Sequence, residues 1–199
     1  MSRRSNTAQR RAEIVGALLA VMAEHGYEKA TIQLIAQKAG LAPGLLHYHF
    51  NTKAEILLEL VKTLAHLSRQ RFQGCAESAS TADERLRAYI NARLAKGHGA
   101  DPNAVAAWVV IGTEAVRQPD VRAVYQDVVR AEMELIEELL SACLIDRRTE
   151  LTKVRPLAAA LLALIEGAFQ LASAAPEVMP VGYAATMAID LVERYIERG

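Results

Sequence analysis

Apolar residues recur along most of this chain every three to four positions, the spacing of one face of an α-helix. Ile14, Leu18 and Met22, with Ala17 and Val21 beside them, predict a helix over residues 8–25, and Gly26 ends it. Residues 1–7 are polar and read as a tail. Residues 31–38 and 42–49 predict two short helices joined by a tight turn. A longer helix opens at Thr52 and runs through Ile56, Leu57, Leu60, Val61, Leu64 and Leu67 to about Phe72. The stretch 73–80, QGCAESAS, reads as a loop. The next helix carries Leu86, Tyr89, Ile90 and Leu94 and stops near Gly97-His98-Gly99. Asp101-Pro102 starts another, through Trp108, Ile111 and Val116 to Gln118. Pro119-Asp120 starts a long one to residue 145, and Arg147 to Lys153 is a charged link. Arg155-Pro156 opens a helix that is apolar on nearly every side, broken between Ala175-Pro176 and Pro180. The last carries Ala184, Met187, Ala188, Leu191, Val192 and Tyr195. No run alternates as a strand does and no Asn-Gly hairpin turn occurs, so the fold class is all-α.

The helix ends are marked by their own chemistry. The Thr31 hydroxyl can cap the helix that follows it. Pro43 can occupy the first helical position, where its missing N–H costs nothing. Thr52 with Glu55, and Thr81 with Glu84, have the spacing of capping boxes.

Ala36, Gly40 and Leu46 stand at the spacing of a helix-turn-helix. Ala36 is small enough for a close helix crossing. Gly40 can take the left-handed conformation that ends a helix. Leu46 can hold the second helix against the first. The outer face of that second helix then carries Leu45, His47, Tyr48 and His49, polar and aromatic without being acidic, which suits a major groove. Lys53 puts a cation in the first turn of the helix that opens at Thr52, against the helix dipole. A DNA phosphate docked there removes the conflict. Arg3 and Arg4 can reach a minor groove.

The run GLLHYHFNTKAEIL, residues 44–57, resembles the signature of the TetR family of bacterial repressors. There a glycine, an apolar residue, an aromatic or histidine pair, a phenylalanine and Ser/Thr-Lys follow in order, here Gly44, Leu46, His47, Tyr48, His49, Phe50, Thr52 and Lys53. Two positions depart from it: Ala42 stands where serine is frequent, and His47 where tyrosine is usual. The resemblance implies a helix-turn-helix DNA-binding domain over 1–51 and a larger helical ligand-binding and dimerisation domain over 52–199. It implies that Thr31, Gly44, His47, Tyr48, His49 and Lys53 meet phosphates of double-stranded DNA. Pro43, Leu45 and Tyr48 would meet base edges. Leu45 has no hydrogen-bonding group and can read only a thymine methyl or shape, so shape readout is expected to matter.

AAWVVIGTEAVRQPDVRAVY and LLALIEGAFQLASAAP are similar to the body of the BetI-type branch, whose best-known member responds to choline. By that likeness a small-molecule effector of unspecified identity would be lined by residues among His66, Gln70, Phe72, Trp108, Glu114, Tyr125, Phe169 and Gln170. Trp108 with an acid such as Glu114 can hold a quaternary ammonium through cation–π attraction and charge.

Composition adds four points. The net charge is zero, which by itself argues against a nucleic-acid binder, but it is unevenly spread: residues 1–74 hold ten Lys/Arg and five Asp/Glu, the remainder thirteen and eighteen. The positive potential therefore lies with the motif. Cys75 and Cys143 fit no metal or redox spacing; with no signal peptide, a reduced cytoplasm is expected. The longest apolar run, around Leu157–Ile165, is short of a membrane span. No nucleophile elbow, Walker loop, dinucleotide fingerprint or metal-ligand pair is present, so neither an enzyme nor a cofactor is expected.

Two late helices with wide apolar faces need more cover than one chain gives. A homodimer through helices about 155–175 and 181–198 supplies it. A two-fold dimer reads a palindrome with half-sites roughly 34–36 Å apart. The sequence thus predicts a dimeric repressor released from its operator by an effector. The alternatives are a DNA-binding regulator without a ligand response, or an activator.

Overall fold

The computed structural model describes residues 2–94, 101–147 and 153–197, with side chains from residue 7 onward. The described residues are helical throughout, with no strand. In order they form α1 (Ser2–His25), α2 (Ile32–Lys38), α3 (Pro43–His49), α4 (Lys53–Ala76) and α5 (Ala82–Leu94), then α6 (Pro102–Arg117), α7 (Pro119–Asp146), α8 (Val154–Ala174) and α9 (Tyr183–Glu197). The stop at Gly97-His98-Gly99, link residues 148–152 and the side chains of Arg3 and Arg4 lie outside the described residues.

Two boundaries differ from the sequence expectation. Residues 2–7 belong to α1 rather than to a tail; Arg3 and Arg4 are good helix formers, and the segment extends a nucleus already in place. Residues 73–76, expected as loop, continue α4. One interior glycine, Gly74, costs about 1 kcal/mol, less than propagation along a packed helix recovers.

The caps form as their sequences require. Thr31 Oγ1 accepts from the Leu34 amide at 3.2 Å, and the Asp101 side chain from the Asn103 amide at 2.9 Å. Thr81 and Glu84 exchange bonds as a capping box. At Thr52 only half of the box closes. The Glu55 amide donates to Thr52 Oγ1 at 3.1 Å, while the Glu55 carboxylate turns to Asn51. Asn51 meets it with two donors, its amide at 2.9 Å and its side-chain Nδ2 at 3.3 Å.

The chain divides into two compact units, residues 1–65 with 101–126, and 66–100 with 127–199. In the first, α1 packs on α2, α3 and α6 around Ile14, Leu18, Ile35, Leu46, Phe50, Leu57 and Ile111, all buried. In the second, α5, α8 and α9 pack on one another. Its buried side chains include Tyr89, Ile90, Ile136, Leu161, Ile165 and Val192. Arg147 grips Asp83 through both guanidinium ends at 2.7 and 2.9 Å, joining the end of α7 to the start of α5. That pairing holds the Asp83 carboxyl below its ordinary range, and burial pushes the Cys143 thiol up to about 12.

By length and composition α8 could cross a membrane, contrary to the reading of Leu157–Ile165 as too short. Glu166 follows that run, yet the helix passes the acid with Ala168, Phe169 and Leu171 beyond it. Its inner face, from Leu157 to Phe169, is buried in the second unit. α8 and α9 also keep apolar residues outside: Ala159, Ala160, Ala163 and Leu171 on α8, and Met187, Leu191 and Tyr195 on α9.

Candidate nucleic-acid interface

The turn between α2 and α3 spans residues 39–42. Ala39 closes α2, and Gly40 follows at φ +67°. The Leu41 amide donates back to the Ala36 carbonyl at 2.9 Å, and the Gly40 amide to that of Gln37 at 3.1 Å. This pair of bonds is the Schellman arrangement, which needs a residue tolerant of the left-handed region. Ala42 begins α3 with no side-chain cap, and Pro43 takes the first helical position. Leu46 and Ala36 are fully buried, so the crossing is as close as their sizes allow.

With Leu46 inward, the rest of α3 faces out. Pro43, Gly44 and His47 are exposed, Leu45 is 47% exposed and Tyr48 78%. Tyr48 meets the half-buried His49 ring edge-on at 5.2 Å. His49 Nδ1 is buried with no hydrogen-bond partner. Thr31, exposed, stands at the start of α2. Gly44 has ordinary helical geometry, and a Cβ added there meets nothing within 4 Å. Neither a turn nor internal packing calls for glycine at that position.

Arg11, which no local pattern singles out, braces the far end of α3. Its Nη1 donates to the His49 carbonyl at 2.6 Å and its guanidinium lies 3.9 Å from the Phe50 ring centre. A cation at a helix C-terminus also complements the dipole there. Glu59 on α4 stands 3.9 Å from its Nη2. The three residues Arg11 joins to its own helix are 38, 39 and 48 positions away, a grouping only the packed fold reveals.

Lys53 is not a freely solvated lysine. Its ammonium donates to the Tyr27 carbonyl at 2.8 Å, lies 3.4 Å from that of Glu28, and sits 4.2 Å from the Tyr27 ring centre. Burial pushes its pKa down, and the charges of Glu114 and Glu28 push it back up. Burial likewise raises the Tyr27 phenol, with Glu114 adding to it.

The expected effector residues fall into separate groups. In the first unit Trp108 and Tyr125 stack at 5.1 Å. Glu114, 7% exposed, accepts from Gln118 Nε2 at 2.6 Å and acts on Tyr27 and Lys53. Trp108 and Glu114 lie six positions apart on α6, about 120° around the helix, so they point to different neighbours. In the second unit Phe72 and Phe169 are buried, while His66, Gln70 and Gln170 are exposed. A polar group not expected from the sequence accompanies those two rings. Tyr89 donates to Glu132 Oε1 at 2.5 Å, Arg93 Nε lies 3.4 Å from the same oxygen, and Arg93 also bonds Ser68. Phe72 meets Tyr89 edge-on at 5.6 Å, and the Arg93 guanidinium is 5.0 Å from the Phe169 ring centre. Tyr89 and Arg93 one turn apart on α5 was the available signal. Among the described residues no group of acids, histidines or cysteines could hold a metal ion.

Comparison with known proteins matches two stretches of the chain. Residues 14–60 match the family model of bacterial regulatory proteins of the tetR family, and residues 82–198 that of the BetI-type transcriptional repressor C-terminal region. An HTH-type transcriptional regulator BetI of Rhizobium meliloti is 33% identical over 113 residues, 57% of this chain and 55% of that protein. The matched stretch thus spans about half the length of that relative. The BetI of Brucella canis is 26% identical over 190 residues, covering 94% of this chain and 89% of its own. Among solved structures, a regulator from Saccharomonospora viridis in complex with choline superposes with a TM-score of 0.81 at 23% identity, over 94% of this chain and 96% of that one. FadR from Bacillus subtilis in complex with stearoyl-CoA does so at 0.73 and 19%, over 91% and 96%. At these identities the structures show the shared fold.

Proposed function

The chain belongs to the TetR family of transcription regulators, with a body of the BetI type, and from that we propose a dimeric repressor released from a palindromic operator by a small-molecule effector. The observation that carries it is the outer face of α3. Leu45, His47 and Tyr48 stand exposed on a helix pinned by Leu46, and Gly44 leaves open a place where nothing inside the protein needs it. A closely approaching DNA backbone gives that glycine its reason. Thr31, His49 and Lys53 supply phosphate contacts beside it, and Pro43, Leu45 and Tyr48 face base edges.

The dimer reading rests on α8 and α9. Met187, Leu191 and Tyr195 recur every four residues on α9, opposite the buried Ala185, Ala188 and Val192. Such a stripe has a use against a second copy of itself about a two-fold axis. Domain assignment stays with 1–51 for DNA and 52–199 for effector and dimerisation, in a protein working in the cytoplasm.

The effector reading is supported by the buried Tyr89 and the part-buried Glu132–Arg93 pair beside Phe72 and Phe169. A charged pair drawn partly out of water beside aromatic rings is costly and needs its partners in place. An effector that competes for those partners binds two arrangements of the body unequally, which is what release requires.

The test is selection of bound fragments from genomic DNA, then anisotropy titration with and without compounds found by thermal shift. A palindrome whose affinity falls as a stabilising compound is added meets the proposal. Operator affinity unchanged across the full titration refutes effector control and leaves a regulator without a ligand response.

A further inference from the structure

Glu114 is the one acidic or basic side chain buried among the described residues, and it sits where an effector contact was expected. Its surroundings belong instead to the DNA-binding unit. The Gln118 side chain is hydrogen bonded to the Glu114 carboxylate, at 2.6 Å, and to the Tyr27 phenol. Tyr27 carries the Lys53 ammonium on its ring face and on its carbonyl. Close by, Arg117 at the end of α6 pairs with Glu28 at 3.2 Å. The short segment between α1 and α2 is therefore held on one side by the last turn of α6 and on the other by the first residue of α4. Three residues after Glu28, Thr31 opens α2.

We propose that Glu114 is a positioning residue for DNA binding, fixing Lys53 and the Tyr27–Glu28 segment so that the starts of α2 and α4 meet phosphates together. The carboxylate acts in two ways. Its charge opposes the downward push that burial exerts on the lysine's pKa. Through Gln118 it orients the Tyr27 ring that seats that ammonium. Glu28 and Tyr27 are the other groups facing the amine. The inference rests on the reading of Lys53 as a phosphate contact, and its test separates the two.

The experiment compares wild type, Lys53→Ala, Glu114→Gln and the double variant in the full chain. Affinity for a duplex of the selected sequence is measured by anisotropy at two salt concentrations. Glu114→Gln keeps the shape and removes the charge. It is expected to weaken binding about tenfold and to lower the salt slope by about one, as loss of one phosphate contact does. In the Lys53→Ala background it is expected to change affinity less than about twofold, because it acts through that lysine. The titration of the Lys53 amine, followed by NMR in the free protein, is expected to move to lower pH in Glu114→Gln. Lys53→Ala without effect on DNA refutes the phosphate reading and the inference with it. A weakened Lys53→Ala beside a silent or fully additive Glu114→Gln, or an unmoved titration, overturns the inference alone.

Discussion

At the scale of single residues, Gly44 separates stability from function. Its helical backbone and the open space around it leave no structural need for glycine. Gly44→Ala is expected to leave thermal stability unchanged or raise it by up to about 1 kcal/mol, while operator affinity falls at least tenfold by anisotropy. Unchanged affinity would remove the strongest reason to place a DNA backbone there. Arg11 is the opposite case, a residue with several internal partners. Arg11→Ala removes the bond to the His49 carbonyl and the stack on Phe50. It is expected to cost about 1–2 kcal/mol in urea unfolding. Gly44 could be singled out in the sequence because it belongs to a local motif; Arg11 could not, because its partners lie on other helices.

At the scale of elements, the helix starts carry much of the local definition. Thr31→Ala loses the bond to the Leu34 amide and is expected to destabilise by about 1 kcal/mol, and Thr31→Ser to recover most of it. Equal losses in the two variants would locate the effect in packing. The joint between α5 and α7 depends on pH. Arg147 first, through its hydrogen bonds, holds the Asp83 carboxyl below the ordinary aspartate value. Its contribution is present above that value and lost as pH falls through the lower, folded one. Arg147→Ala is therefore expected to be less stable than wild type at pH 7, by under about 1 kcal/mol for so exposed a pair. The gap should close in urea titrations at pH 2. The helix caps were legible from residue type and spacing, whereas the turn of Glu55 toward Asn51 depended on two donors converging in space.

For the whole molecule, the unresolved demand is cover for α8 and α9. Leu191→Glu puts a charge on the outward stripe of α9 and leaves its buried face intact. Sedimentation velocity is expected to show a dimer for wild type and a monomer for this variant, with helicity by circular dichroism retained. A variant that stays dimeric at micromolar concentration would move the interface elsewhere. A monomer presents one recognition helix, so its affinity for a palindrome is expected to fall steeply as well.

The sequence by itself determined the class, the helix order and the recognition unit. Those depend on periodicity, on caps and on a turn whose residues are near neighbours: Thr31 with Leu34, Ala36 with Leu41, Leu46 on the inner side of α3. Tertiary structure decided what each charged side chain does. Lys53 reads as an exposed cation at a helix start, yet its ammonium is seated on Tyr27. Glu114 reads as a partner for Trp108, yet it faces Gln118 and the field of Lys53. Tyr89, Arg93 and Glu132 converge from two helices that no spacing rule connects. Backbone conformation answers to neighbours in the chain, whereas burial of a charge requires a partner wherever the fold can supply one.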